Sequence, residues 1–219
     1  MNTPGKIVVI EGQDAVGKKT QSRLLVEKLM ERGRKAVGIS FPIYDSPSGH
    51  VIRRYLSGEF GPVSSVNPKM ASTLYALNRH AHRGMVVDYL AQGVTLICDR
   101  YVESNFGHQG AKFDLDEERE AFFKWCERLE YYDMDMPRPS VGILLHVPWE
   151  VSKQLLVSRG AIIDGHEGDD HHQQMSEKSY LHLARLYNWT VVECYAGGRI
   201  RSANEISIEI FSRLMSLGG

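Results

Sequence analysis

The residues most able to do chemistry form a glycine-rich loop near the N-terminus. Residues Gly12 to Lys19 read GQDAVGKK and match the pattern GxxxxGK, with an apolar run before them and a helical pattern after them. The glycines let backbone N–H groups converge on a phosphate, the start of the helix adds partial positive charge, and Lys18 can reach the β- and γ-phosphates. The loop therefore predicts a nucleotide-phosphate site, against the alternative of a glycine turn with a solvent-exposed lysine. Its predicted contacts are Gly12, Gln13, Ala15, Val16, Gly17, Lys18, Lys19 and Thr20.

Lys19 stands where Ser or Thr normally ligates Mg²⁺. Thr20 comes one residue later, and because one residue turns a helical side chain by about 100°, Thr20 should not replace the missing ligand. Asp99 follows the apolar run VTLIC, where a nucleotide-binding fold places a carboxylate to hold magnesium or its waters. We therefore expect Mg²⁺ to be held mainly through Asp99, phosphate oxygens and waters, although Asp99 and Arg100 could instead form an ion pair at the strand end.

Several arginines could surround such a site. Phosphoryl transfer spreads charge over the phosphoryl oxygens in its transition state, so catalysis depends largely on positioning and on electrostatic stabilisation. We expect Arg79, Arg100 and Arg159 to contribute to this stabilisation, and we leave Arg53 and Arg54 open.

Arg159 belongs to a segment of unusual composition, Ser158 to Gln174, which reads SRGAIIDGHEGDDHHQQ. Its glycines and polar residues predict a mobile loop between two helical patterns. Its His, Asp and Glu side chains could form a metal site, but zinc sites favour ligands that are fixed on ordered elements. We therefore expect a short hinged lid.

Strands and helices alternate around these residues. Short apolar runs rich in β-branched residues predict strands at residues 6–10, 36–40, 94–98, 141–147 and 190–194. Helical periodicity predicts helices at residues 18–32, 70–91, 117–132, 176–188 and 203–215. Right-handed crossovers place ligands beyond the carboxyl ends of the strands, where the glycine loop falls. The expected fold is α/β, one domain with a five-stranded parallel sheet flanked by helices.

The composition argues against several other classes of protein. The chain has 219 residues, and its 26 basic and 27 acidic residues give a net charge of -1, which disfavours nucleic-acid and membrane-surface binding. Three cysteines without a CxxC pair suggest neither a disulfide framework nor a zinc site. The first predicted strand starts close to the N-terminus, and no apolar run approaches the roughly 18 residues of a membrane span. We therefore expect neither a secretory signal nor a membrane span, and a cytoplasmic location.

A longer set of motifs resembles the thymidylate kinase family. These motifs are the glycine loop with Asp14 inside it, FPIY at 41–44, TLYALNRH at 73–80, GVTLICDRYVESN at 93–105, PRP at 137–139 and DGHE at 164–167. Their order and spacing also agree, and the resemblance covers nearly the whole chain. It implies a P-loop nucleoside monophosphate kinase fold and transfer of the ATP γ-phosphate to dTMP with Mg²⁺, giving dTDP and ADP for dTTP synthesis.

The resemblance also implies roles for individual residues. Asp14 would accept from the deoxyribose 3′-hydroxyl or orient arginines around the acceptor phosphate, the base would stack on Tyr75, and Arg79 would hydrogen-bond a thymine carbonyl. Asp99 would serve the metal, and the glycine loop would bind ATP. The implied dTMP pocket comprises Asp14, Phe41, Tyr44, Tyr75, Arg79, Arg100, Ser104, Asn105, His108 and Gln109.

The family supplies its catalytic arginine either from the phosphate loop or from the lid. Ala15 stands where the loop arginine would be, so the resemblance implies Arg159 of the lid. Glu167 lies close to Arg159 in the sequence and could orient either Arg159 or the waters of the metal when the lid closes. The implied catalytic set is Asp14, Lys18, Arg100 and Arg159.

Two positions depart from the family pattern. Tyr75 stands where phenylalanine is frequent, and His108 stands where an aromatic side chain often lies below the deoxyribose, which leaves rejection of a 2′-hydroxyl open. The resemblance further implies a homodimer, for which the helix at residues 70–91 could supply the interface or could be ordinary core.

Two alternatives to a dTMP kinase remain open. A related kinase could act on another small nucleotide, because the residues that contact the base decide which base is accepted. A nucleotide-dependent switch or binding module would also carry a phosphate loop. The acceptor-side residues and the lid argue against a switch, because they would enclose a second substrate and exclude water.

Overall fold

The computed structural model describes residues 4–158 and 169–217. Five parallel strands form one sheet in the order β2-β3-β1-β4-β5, which confirms the predicted α/β fold. Their bounds are β1 Ile7–Glu11, β2 Ala36–Ser40, β3 Thr95–Asp99, β4 Val141–His146 and β5 Thr190–Glu193. A short antiparallel hairpin, β6 Tyr195–Ala196 and β7 Arg199–Ile200, follows β5.

Helices pack on the sheet between these strands. Their bounds are α1 Lys18–Glu31, α2 Pro47–Leu56, α3 Pro68–Ala81, α4 Arg83–Ala91, α5 Glu103–His108, α6 Asp116–Glu127, α7 Trp149–Ser158, α8 Asp170–Leu186 and α9 Ala203–Ser216. A 3-10 turn at Gly110–Lys112 and a π-helical turn at Arg128–Asp133 lie on either side of α6. No helix in the described part of the chain combines the length and apolar character needed to cross a membrane.

The central strand β1 brings the phosphate loop next to the residues that follow β3. All five residues of β1 are buried, because the strand is apolar on both faces until its last residue. Ile10 pairs with Asp99 of β3 on one side and with Ile143 of β4 on the other. The N–H of Arg100 donates to the carbonyl oxygen of Ile10 at 3.2 Å, so the pairing continues one residue past β3. The phosphate loop and Arg100 therefore leave the sheet side by side.

Apolar side chains fill both faces of the sheet. Val9 and its neighbours on one face pack with Phe106 of α5 and with Leu183 of α8. Val8 belongs to a second core, which includes Leu25 of α1 and residues of α9. The alternation of side chains along β1 explains why adjacent residues enter different cores. These two cores hold the carboxyl edge of the sheet, where the predicted site lies.

The helix predicted over residues 70–91 is wrong as a single element. It is divided into α3 and α4 at His82, whose backbone N–H donates to the carbonyl oxygen of Arg79 at 3.1 Å instead of to that of Asn78. The ring Nδ1 of His82 lies 2.7 Å from the Asn78 oxygen. The side chain thus takes the carbonyl that would continue the α-helical hydrogen-bond ladder, and the helix ends.

The loop predicted at residues 158–174 is also corrected at both of its ends. Ser158 is the last residue of α7, and residues from Asp170 onward form the first turns of α8. The carboxylate of Asp169 accepts from the N–H of His172 at 3.1 Å, so Asp169 caps α8 and lets the helix start before the predicted residue 176. Residues 159–168, with Arg159, Asp164 and Glu167, lie outside the described residues.

Candidate active site

The phosphate loop is held by glycines in conformations that other residues rarely adopt. Gly12 has a φ of 146° and Gly17 has a φ of 98°. A Cβ atom on Gly12 would lie 2.5 Å from the carbonyl oxygen of Leu145 in β4, so only glycine lets the loop pack directly on this strand. Gly17 is the residue before α1, and the loop therefore forms a compact turn in front of the N-terminus of a helix of 14 residues.

Lys18 folds back over this turn. Its Nζ donates to the carbonyl oxygens of Gly12 at 2.9 Å and Gln13 at 2.6 Å, and it lies 3.8 Å from the carboxylate of Asp14. Burial and, to a smaller extent, nearby Arg100 lower the pKa of Lys18, while the carboxylate of Asp14 opposes them, and the net pKa is about 8. The ammonium group can exchange its carbonyl partners for phosphate oxygens without leaving the loop.

Arg100 connects the phosphate loop to the acceptor side of the predicted site. Its guanidinium donates to the carboxylate of Asp14 and lies 2.7 Å from Nε2 of His108. Burial lowers the pKa of Arg100, but the carboxylate of Asp14, together with Tyr180, Glu11 and Asp99, outweighs this effect and the net pKa is raised. Arg100 also has a φ of 70°, an uncommon conformation for a residue with a side chain. A permanently charged fork is thus held next to Lys18 and Asp14, where it could bind phosphate oxygens.

Glu11, the last residue of β1, organises this region and was missed by the sequence analysis. One carboxylate oxygen accepts from the N–H of Tyr101 at 2.9 Å and from the hydroxyl of Ser104 at 2.6 Å. The other accepts from the hydroxyl of Tyr180 in α8 at 3.0 Å. Glu11 is fully buried, and it therefore ties β1 to the segment after β3 and to α8. The sequence did contain a sign of this role, because Glu11 directly follows the apolar run of the predicted first strand.

Every side chain that the resemblance assigns to dTMP lines one cleft of about 200 Å³, together with Pro42 and Leu56. Tyr75 forms part of an apolar cluster of α2 and α3, where its ring stands edge-on to Tyr55 at 6.3 Å. Gln109 is almost fully buried, and its Oε1 accepts from no described residue. The cleft thus combines aromatic walls with polar groups, as small-molecule sites usually do. The individual roles of its residues stay predictions.

Two polar side chains of this cleft meet at a buried carboxylate. Arg79 donates from Nε and Nη2 to the two oxygens of Glu130 at 2.5 and 2.6 Å, and from Nη1 to the carbonyl oxygen of Tyr101 at 3.0 Å. Asn105 donates from Nδ2 to Glu130 Oε1 at 3.2 Å. Burial lowers the pKa of Arg79, but Glu130, together with Tyr101 and Tyr131, more than offsets this, so the net pKa is raised. Glu130 was not predicted, because it lies in the π-helical turn that replaces the end of the predicted helix at 117–132.

A second cleft lies beside the phosphate loop and is lined by Lys19, Ser22, Ser40 and Asp99. The hydroxyl of Ser40 lies 3.5 Å from the carboxylate of Asp99, and the buried hydroxyl of Ser22 has no partner among the described residues. Carboxylate and hydroxyl oxygens are ligands that Mg²⁺ prefers, so these residues fit a magnesium ion or its waters. Lys19 would add positive charge at the same cleft, whereas Thr20 is exposed and does not line it.

The helix that follows the undescribed segment is fastened to the phosphate loop. Gln13 donates from Nε2 to the carbonyl oxygen of Gln173 in α8 at 2.9 Å. The first turn of α8 therefore contacts the loop directly. A displacement of the first turn of α8 would change or break this hydrogen bond from Gln13.

Comparison with known proteins identifies the family. The family model described as thymidylate kinase matches residues 10–205. Human thymidylate kinase is 31% identical over 195 residues, which cover 86% of this chain and 82% of the human protein. Thymidylate kinase of Schizosaccharomyces pombe is 32% identical over 184 residues, covering 83% and 77%. The enzyme of the same name from Mycobacterium tuberculosis H37Rv is 30% identical over 188 residues, covering 81% and 85%.

A solved structure of thymidylate kinase from Candida albicans shares the fold. It superposes with a TM-score of 0.71 over 97% of this chain and 92% of that one, at 22% sequence identity. At this identity the likeness supports the fold alone, and the family rests on the sequence matches. On these sequence matches, the chain belongs to the thymidylate kinase family and is a dTMP kinase by class.

Proposed function

We propose that this chain transfers the γ-phosphate of ATP to the 5′-phosphate of dTMP, giving dTDP and ADP for dTTP synthesis. The observation that carries the proposal is the position of Asp14, which lies 3.8 Å from Lys18 of the phosphate loop and accepts a hydrogen bond from Arg100 of the acceptor cleft. The carboxylate of Asp14 thus contacts both the side proposed for the phosphoryl donor ATP and the side proposed for the phosphoryl acceptor dTMP. Two substrates bound on these sides would meet next to Lys18 and Arg100, as direct phosphoryl transfer requires.

On the donor side, the backbone N–H groups of the phosphate loop and the N-terminus of α1 would bind the phosphates of ATP. Lys18 would exchange its carbonyl partners for β- and γ-phosphate oxygens. Asp99 and waters would hold Mg²⁺, which neutralises phosphate charge when bound. Ser22 and Ser40 line the same cleft and offer hydroxyl oxygens to those waters.

On the acceptor side, a phosphate oxygen of dTMP would attack the γ-phosphorus while the bond from this phosphorus to the β,γ-bridging oxygen breaks. Arg100 would contact both phosphates, so that its charge acts most strongly when charge is spread over the transferring group. Phe41, Tyr44 and Tyr75 would enclose the base, and Arg79 and Asn105 would hydrogen-bond its edge. Ser104, His108 and Gln109 would line the sugar and the remaining base edge.

The lid is proposed to supply the last catalytic group. Arg159 would reach the transferring phosphoryl group on closure, because Ala15 leaves the phosphate loop without an arginine of its own. Glu167 would orient Arg159. The contact between Gln13 and α8 supports this part of the proposal, because it links the end of the lid segment to the phosphate loop.

The substrate is tested by a coupled assay of ADP formation with dTMP, dUMP, dCMP and dGMP as acceptors. The proposal expects dTMP to have the highest kcat/KM, because the base edge is read by buried polar groups that a wrong base would leave unpaired. A higher kcat/KM for another monophosphate would contradict dTMP as the acceptor and identify that monophosphate in its place. ATP hydrolysis that no acceptor stimulates would favour a nucleotide-dependent switch.

We further infer a homodimer located in the cytoplasm. Met70 and Leu77 of α3 are 61% and 47% exposed, so part of this helix is not needed for the core of one chain and could contact a second copy. Sedimentation equilibrium should give twice the mass of one chain. A single-chain mass at micromolar concentration would contradict the dimer.

A further inference from the structure

Two residues proposed to read the base share one buried carboxylate. Arg79, Asn105 and Glu130 are 2%, 2% and 0% exposed, so all three depend on one another for hydrogen bonds. Glu130 accepts from Arg79 with both oxygens and from Asn105 with one of them. It does not line the cleft itself. Its effect on a ligand would therefore pass through the two side chains that it holds.

The hydrogen bonds of Asn105 fix the orientation of its amide. Nδ2 carries two protons, and it donates to the carbonyl oxygen of Ser72 at 3.4 Å and to Glu130 Oε1 at 3.2 Å. A rotation of the amide by half a turn would place its oxygen against these two acceptor oxygens, and both hydrogen bonds would be replaced by repulsive contacts between oxygens. Oδ1 therefore points away from Glu130, and no described residue donates to it. Since Asn105 lines the cleft, this oxygen offers an acceptor to a ligand.

The hydrogen bonds of Arg79 leave donors, and not an acceptor, available to a ligand. A guanidinium has five N–H donors. Nε and one proton of Nη2 are held by Glu130, and one proton of Nη1 is held by the carbonyl oxygen of Tyr101. The two remaining N–H groups of the guanidinium donate to neither Glu130 nor Tyr101. Because Arg79 also lines the cleft, these N–H groups are available to a ligand there. The wall therefore presents donors at Arg79 and an acceptor at Asn105.

A wall with donors at Arg79 and an acceptor at Asn105 complements a base that carries an acceptor beside a donor. Thymine and uracil carry an acceptor at O4 beside a donor at N3–H, whereas cytosine carries a donor at N4 beside an acceptor at N3. We propose that Glu130 is a positioning residue that fixes the donor and acceptor polarity of Arg79 and Asn105, and so selects 4-keto over 4-amino pyrimidine monophosphates. This inference rests on the proposed function, because it takes the cleft to be the base site.

Replacement of Glu130 by Gln should disturb this selection specifically. The amide of Gln offers one acceptor oxygen where three N–H groups now converge, and its NH₂ group would face donors of Arg79 or Asn105. At least one of the two side chains must then move, and the amide of Asn105 is free to turn. A hydrogen bond to a charged group is worth enough to change selectivity about tenfold or more. The loss should appear mainly as a higher KM for dTMP and a lower one for dCMP.

The experiment compares kcat/KM for dTMP with kcat/KM for dCMP in the wild-type enzyme, in Glu130→Gln and in a control, Glu103→Gln. Glu103 is also buried, and its Oε1 accepts from the hydroxyl of Tyr131 at 2.5 Å, a bond that the oxygen of Gln can keep. We expect the ratio to fall about tenfold or more in Glu130→Gln and to stay near the wild-type value in the control. An unchanged ratio in folded Glu130→Gln would overturn the proposal.

A second measurement covers the case in which Glu130→Gln does not fold. In the wild-type enzyme, the side-chain NH₂ protons of Asn105 should exchange slowly with solvent, with and without dTMP, because they point at Ser72 and Glu130. Fast exchange without dTMP that becomes slow when dTMP binds would show that the NH₂ group faces the cleft, and would contradict the assigned orientation. A wild-type enzyme that does not prefer dTMP to dCMP would instead refute the proposed function, so the two failures are distinguishable.

Discussion

Arg100 and Asp14 form an ion pair that joins the acceptor cleft to the phosphate loop. Arg100 directly follows β3 and Asp14 lies in the loop after β1, and these two strands are paired neighbours in the sheet. Both side chains are only partly exposed, at 20% and 22%. The pair is thus placed by the sheet and not by a flexible surface contact.

The position of Arg100 predicts that Arg100→Ala lowers kcat strongly. A charged donor at the transferring phosphoryl group stabilises the transition state, and its removal should cost about 10²- to 10³-fold in kcat. Steady-state kinetics with saturating ATP and dTMP give this value. Arg213→Ala is a matched control, because Arg213 is an exposed arginine of α9 that pairs with Glu209. A kcat loss for Arg100→Ala no larger than that of the control would remove Arg100 from catalysis.

The lowered pKa of Lys18 predicts a decline in activity at high pH. The charged ammonium is present below its pKa of about 8 in the free enzyme and is lost as the pH rises through that value. Because the charged form attracts phosphate oxygens, kcat/KM for ATP should fall above that pH. The pH profile of kcat/KM reports ionisations of the free enzyme and is the appropriate measurement. A profile that stays flat well above pH 8 would show that this ionisation does not govern ATP binding.

Lys19 is predicted to be dispensable. Lys19→Ser would restore a hydroxyl where Mg²⁺ is usually ligated, and it would remove a positive charge from the cleft that contains Asp99. We expect an active enzyme whose half-maximal activity is reached at a lower Mg²⁺ concentration, as measured by Mg²⁺ titration at fixed ATP. Complete inactivation would mean that Lys19 has a direct catalytic role.

Arg79→Ala is predicted to affect both binding and stability. The KM for dTMP should rise, because a donor to the base is lost. The buried carboxylate of Glu130 would also lose its only cationic partner among the described residues and keep the hydrogen bond from Asn105. Breaking a buried ion pair in this way costs about 3–5 kcal/mol of unfolding free energy. Urea denaturation should detect this loss, whereas Arg54→Ala, which breaks the exposed pair with Glu59, should change stability much less. An unchanged KM would exclude Arg79 from the base site.

Arg159→Ala is predicted to lower kcat far more than it weakens dTMP binding. A lid arginine that acts on the transferring phosphoryl group makes its contact in the transition state, so its removal should leave ground-state binding nearly intact. Kinetics and direct titration with dTMP separate the two quantities. A loss of binding with unchanged turnover would argue for a role in the acceptor pocket.

Local sequence patterns were sufficient to predict the sheet and the glycine-rich turn between β1 and α1. Buried parallel strands are continuous apolar runs, and a loop such as that around Gly12 is specified by residues within eight positions of one another. The resemblance located the cleft residues, which come from the glycine-rich loop, the loop before α2, the helix α3, and the segment from the end of β3 to the residue after α5. Both kinds of signal are carried by short contiguous segments.

The features that the sequence did not predict depend on contacts between distant segments or on competition within a helix. Glu130 meets Arg79 from 51 positions away, and Glu11 meets Tyr180 from 169 positions away. Neither pairing leaves a local pattern. The break at His82 arises because a side chain displaces a backbone hydrogen bond, and hydrophobic periodicity does not register such competition.

The most direct test of the proposed function follows the γ-phosphate itself. Purified enzyme is incubated with Mg²⁺, ATP labelled at the γ-phosphate and dTMP, and the labelled products are separated. We predict that the label appears in dTDP, in an amount equal to the ADP formed, and that little inorganic phosphate is released when dTMP is omitted. Label released as inorganic phosphate at the same rate with and without dTMP would contradict the assignment of this protein as a dTMP kinase.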